Sequence, residues 1–223
     1  MSIVFASISP HPPIILPSVG SSEDRALVKD TISALERSEK RIKEKSPEKI
    51  IISAPHPDWG FEVPLHFLNA RLQFKIQNYQ SPTDIVIEEP DDFVAHSFLT
   101  TFDSPEQHFE WGREDYLKIK NSELKIALIA SGDLSHCLKK EGPYGFHPDG
   151  PKFDRALIEA LEKKDIETIL RLDDLYPKAS ECGLRSFCFM LGILEEAGIN
   201  WQIEILSYEG PFGVGYLVAD FKL

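Results

Sequence analysis

Apolar positions along the chain form short β-branched runs, separated by stretches with a helical period. Residues 3–8 ("IVFASI"), 49–53 ("KIIIS") and 124–130 ("LKIALIA") are apolar almost throughout. Such runs read as strands buried on both faces. Residues 25–45 carry Ala26, Ile32, Leu35 and Ile42 at roughly helical spacing. A serine and acids precede this stretch and lysines end it, so the pattern predicts an amphipathic helix. Strand, helix and strand in that order indicate a parallel βαβ unit.

Further along, "RLQFKIQ" (71–77) alternates apolar and polar residues and predicts a half-exposed strand, and "TDIVIEE" (83–89) predicts another. "DDFVAHSFLTTF" (91–102) predicts a short helix starting at an aspartate. "EGPYGFHPDGP" (141–151) holds too much glycine and proline for regular structure and predicts a loop. Two short helices over 152–172, an apolar helix over 183–197 and strands over 201–208 and 214–221 complete the pattern. The expected fold is α/β: a mixed, largely parallel central sheet flanked by helices, in one domain spanning residues 1–223.

Composition supports that expectation. The chain has 223 residues, 42% of them hydrophobic, enough for one sizeable core. Its net charge of −12 argues against a nucleic-acid footprint, which needs clustered lysine and arginine. No apolar run approaches the ~20 residues of a membrane span. The first residues lack the charged start of a signal peptide. Three cysteines without a CxxC pair suggest reduced thiols and a cytoplasmic location.

Candidate chemistry follows from three histidines. His11, His56 and His136 each stand a few residues beyond an apolar run. In open α/β sheets, ligands bind at the carboxyl ends of the strands. If the three strands are parallel neighbours, the imidazoles converge on one rim. Glu181 in "ECGLRSF" supplies a carboxylate at the start of a helix. Two imidazoles and one carboxylate form the facial set of non-haem Fe(II) sites, and Mn(II) or Zn(II) suit it as well. The remaining histidine is then free for proton transfer. Cys182, next to Glu181, offers an alternative ligand that would favour copper or zinc. Substrate contacts are expected from His147 in the loop, from Arg185 through a bidentate carboxylate contact, and from Tyr208 before the turn "EGPFG". His66, His96 and His108 read as structural or solvated.

Five segments carry a family resemblance: "ISPHPP", "SAPHPDW", "SGDLSH", "ECGLRSF" and "SYEGPFGVGYLVA". In this order the chain resembles the class III extradiol dioxygenase catalytic subunits, the superfamily that includes protocatechuate 4,5-dioxygenase β subunits and the Memo proteins. The last segment is similar to the branch called AmmeMemoRadiSam system protein B. The resemblance implies metal ligation by His11, His56 and Glu181, and an acid/base role for His136. In the Memo branch a cysteine stands at about the place of Cys182. It further implies Fe(II), a catechol-type aromatic substrate and O2, with ring opening beside the two hydroxyls. A homo-oligomer or a small accessory subunit is compatible with it. Two other functions keep the same ligands: a Memo-like metal-binding protein without ring cleavage, and a metal-dependent hydrolase.

Overall fold

The computed structural model describes residues 2–67, 85–88 and 94–223. Seven strands make one mixed sheet in the order β3-β4-β2-β5-β1-β7-β6. The strands are β1 (Ser2–Ser9), β2 (Lys49–Ala54), β3 (Ile85–Glu88), β4 (Val94–Leu99), β5 (Lys125–Ser131), β6 (Gln202–Glu209) and β7 (Tyr216–Lys222). β4, β2, β5 and β1 run parallel, while β3 and the β7–β6 pair are antiparallel at the two edges. The α/β class and mixed sheet expected from the sequence are therefore present. So is the key adjacency: β5 lies between β2 and β1 and pairs in parallel with both.

The apolar runs are buried on both faces because helices cover both. In β5, Ile126, Leu128 and Ala130 enter one core cluster, while Ala127 and Ile129 enter the other. That is the two-residue period of a pleated strand. One layer contains α4 (Pro105–Ile119), α5 (Asp149–Lys163), α6 (Ile166–Leu170), α7 (Leu172–Leu175) and α8 (Leu184–Glu196). On the opposite face lie α2 (Lys29–Lys45) and α3 (Trp59–Phe67), with α1 (Ser22–Ala26) ahead of α2. The helix expected over 25–45 is thus split, with Val28 fully buried at the break.

Two sequence expectations need correction. The helix predicted over 91–102 is instead strand β4 at Val94–Leu99. It pairs with β2 on one side and β3 on the other, and this ladder outweighs the aspartate start signal. α4 had no counterpart in the sequence reading. It lies against α8 at a close crossing: a Cβ on Gly112 would come within 2.0 Å of the Phe189 carbonyl oxygen, and one on Gly192 within 2.0 Å of the Phe109 carbonyl oxygen. This backbone contact fixes α8, whose amino end leads to the site. The predicted strand over 71–77 lies outside the described residues, whereas the one over 83–89 appears as β3.

Candidate metal centre

Three loops leave the carboxyl ends of adjacent parallel strands and place a polar residue two positions beyond each. β1 ends at Ser9 and leads to His11, β2 ends at Ala54 and leads to His56, and β5 ends at Ser131 and leads to Asp133. The loop before α8 adds Cys182. It can approach because Gly132 and Gly183 meet backbone to backbone: a Cβ on Gly132 would lie 2.2 Å from Gly183 Cα. Any side chain there would push the Cys182 loop outward.

His11, His56 and Cys182 come together, with one potential ligand atom from each lying within 4.8 Å of the others. The His11 and His56 rings stand at 83° with centroids 5.4 Å apart. His11 Nδ1 hydrogen-bonds the Ser131 hydroxyl at 3.1 Å, which turns Nε2 toward Cys182 Sγ at 3.7 Å. Tetrahedral zinc with ordinary Zn–N and Zn–S lengths would separate these two atoms by about 3.5 Å. The donor set therefore fits a first-row transition ion with little adjustment. His11 is buried and His56 exposed, so the centre is closed on one side and open on the other.

Electrostatics describe a neutral pair. Burial, then the neighbouring His56, lowers the His11 pKa to about 3. Burial, then Asp133, pushes the Cys182 thiol well above its ordinary range. The pair is thus a thiol and a neutral imidazole, unlike the thiolate–imidazolium pair of a cysteine nucleophile. A neutral His11 imidazole and a displaceable thiol proton do suit metal binding.

Asp133 organises the surroundings. Its Oδ1 accepts the His11 backbone N–H at 2.9 Å, and its carbonyl accepts the Gly183 N–H at 3.0 Å. Burial raises its pKa to about 6. The sequence reading missed this residue. Its signal was the shared offset from the strand end, hidden because it is not a histidine.

Glu181, expected as a ligand, is turned away from the cluster. Its carboxylate is not part of the three-residue cluster but turns onto the start of α8: Oε2 accepts the Leu184 N–H at 2.6 Å and Oε1 faces Arg185 Nη1 at 3.5 Å. A carboxylate is held there by the free amide groups of the first helical turn. Burial raises its pKa to about 7. The adjacent Cys182 takes the position expected of Glu181.

His136 lies beside the cluster. Its Nε2 is buried with no hydrogen-bond partner, and its pKa is lowered first by burial, with His11 and His56 adding to the effect against Asp133. The expected substrate contacts are engaged elsewhere. Arg185 donates from Nε to the Asp103 carbonyl at 2.7 Å and reaches Asp173 and Glu181, leaving no free fork for a substrate carboxylate. The Tyr208 hydroxyl donates to Asp154 Oδ2 at 2.6 Å. His147 Nδ1 accepts the Asp149 N–H at 3.2 Å within its own turn. No helix among the described residues is long and apolar enough to cross a membrane.

Comparison with known proteins gives the family. Residues 56–219 match the family model described as the catalytic LigB subunit of aromatic ring-opening dioxygenase. Protein CA_C1420 of Clostridium acetobutylicum is 29% identical over 277 aligned positions, covering 100% of this chain and 58% of that protein. The chain thus spans little more than half of that relative's length. The uncharacterized protein JW3007 from Escherichia coli K12 superposes with a TM-score of 0.51 at 15% identity, covering 97% of this chain and 99% of that one, a likeness of fold. With the family model covering most of the chain, the protein belongs to the LigB family of aromatic ring-opening dioxygenase catalytic subunits.

Proposed function

We propose that this protein binds one divalent transition ion through His11, His56 and Cys182, and opens the ring of a small catechol-type aromatic with O2. The observation that carries the reading is the cluster of two imidazoles and a thiol within 4.8 Å, open toward His56. A bound ion there would supply Lewis-acid and one-electron chemistry. The chain's own residues do the rest. Ser131 orients His11, and Asp133 fixes the backbone of both the His11 and Cys182 loops. His136, kept neutral by burial, takes a proton from a substrate hydroxyl at its unpartnered Nε2.

Cys182 favours a second reading. A thiol in the ligand set suits zinc or copper better than a carboxylate would. A Memo-like protein that holds such an ion without opening rings would use the same three residues.

One experiment separates the two. The metal-free protein is loaded with Fe(II), Zn(II) or Cu under anaerobic conditions, and oxygen uptake is followed with a panel of catechols. Ring opening predicts oxygen consumption and a yellow product with the iron form. His136→Ala should keep the metal and lose turnover by ~10²–10⁴-fold. Stoichiometric metal with no oxygen uptake on any catechol would leave the metal-binding reading standing and remove the dioxygenase one.

A further inference from the structure

The turn that follows His136 holds an exposed aromatic in a fixed position. Leu138 and Phe146 form an antiparallel bridge across it, and the His147 N–H donates to the Cys137 carbonyl at 3.0 Å. Its base sits on a second turn through glycine: a Cβ on Gly213 would lie 2.9 Å from Gly142 Cα. Gly145 takes a φ of 73°, a conformation that side chains other than glycine's rarely adopt. The backbone is therefore anchored. Yet Tyr144 in this turn leaves 62% of its surface in water.

An exposed tyrosine ring contributes little to folding, since burial is what stabilises an aromatic. Its neighbour is informative. The Tyr144 ring centroid lies 5.0 Å from that of His136, with planes at 43°. His136 is also the residue whose buried Nε2 has no partner. A held, largely exposed aromatic thus stands beside an imidazole whose buried Nε2 has no partner.

We infer that Tyr144 is a specificity-determining residue: its exposed ring, held beside His136, is the wall on which a planar aromatic ligand of the neighbouring centre stacks. This rests on the proposed reaction at the His11–His56–Cys182 centre. The wall selects flat rings over non-planar groups carrying the same chelating oxygens. It favours electron-poor rings, because the tyrosine face is the negative part of its quadrupole.

The test uses the full chain loaded with Zn(II), which binds without turnover. 4-Nitrocatechol is titrated by its absorbance, and acetohydroxamate, a chelator without a ring, by competition. Tyr144→Ala should weaken 4-nitrocatechol by about three- to tenfold, the size of one aromatic stack. Tyr144→Phe should bind as wild type does, and acetohydroxamate affinity and zinc content should not change in either variant. Unchanged 4-nitrocatechol binding by Tyr144→Ala overturns the inference and leaves the proposed site intact. Equal weakening of both ligands overturns it as well, because the side chain would then only shape the metal centre. Loss of affinity in Tyr144→Phe equal to that in Tyr144→Ala would assign the contact to the hydroxyl and refute the stack. Wild type that binds acetohydroxamate but not 4-nitrocatechol removes the aromatic-substrate reading and this inference together.

Discussion

Asp133 and Asp220 are both buried, and burial raises the pKa of both. They differ in what faces them. Asp220, in β7, receives the Ser38 hydroxyl at 2.6 Å and Arg41 Nη1 at 2.8 Å from α2. Arg41 also reaches Glu204 on β6, so this network ties the helix to the sheet edge. Asp133 receives one backbone N–H on its carboxylate, and among the described residues it has no lysine or arginine partner. The side chains that offset its burial are imidazoles, His136 and His56, and not a permanent cation. A structural carboxylate brings its own cation. In the proposed reading, the carboxylate at the sheet rim stands behind ligands for a cation that arrives from outside.

Deleting a ligand at the rim gives the largest expected effect. Structural zinc sites with four ligands bind with roughly 10–16 kcal/mol, or about 2.5–4 kcal/mol per ligand. His11→Ala or Cys182→Ala should therefore weaken metal binding by two to three orders of magnitude, read by competition with a chromophoric chelator. Glu181→Gln should leave it nearly unchanged. The reverse result, with Cys182→Ala binding normally and Glu181→Gln failing, would return the carboxylate to the ligand set and break the contrast between rim and edge.

The two aspartates can then be separated directly. Asp133→Asn keeps an acceptor for the His11 N–H and removes the charge. It should cost about 10–100-fold in metal affinity, as outer-shell changes do, with little loss of metal-free stability. Arg41→Ala strands Asp220 and should destabilise the fold by about 1–3 kcal/mol in a denaturant titration. The arginine is half in water, which places the effect at the lower end of buried ion-pair losses. Metal affinity should be untouched by Arg41→Ala. Equal effects of both variants on both readouts would show the contrast to be spurious.

What sequence alone could reach follows the same division. The strand runs and the histidines beyond them were readable because buried parallel strands are nearly continuous in apolar residues, and their carboxyl ends are where ligands gather. The sequence left Glu181 and Cys182 as alternatives, since both occupy one short loop and only the cap on α8 decides which side chain turns to the rim. β4 was hidden because its pairing partners lie far away in the chain. α4 was missed because its packing depends on glycines, Gly112 and Gly192, that carry no apolar signal. Arg185 and Tyr208 looked like free recognition groups, and their partners Asp103, Asp173 and Asp154 are legible in the fold alone.

The smallest expected effect concerns the proton that a metal must displace, and it sharpens the contrast again. At the sheet edge the cation is an arginine, charged at every relevant pH, so no proton exchange accompanies the Asp220 contact. At the rim, the lowered pKa of His11, about 3, means this ligand is already neutral near pH 7 and releases nothing. The Cys182 thiol, raised by burial and by Asp133, is still protonated there and must lose its proton to bind. Apparent metal affinity should therefore rise with pH, by about tenfold per unit between roughly pH 7 and 8, with one proton released per ion. Chelator competition across that range gives the slope, and calorimetry in buffers of different ionisation enthalpy counts the proton. Cys182→Ala should flatten the profile. A flat profile in the wild-type protein would mean that the thiol stays protonated while the metal is bound, and would take Cys182 out of the ligand set.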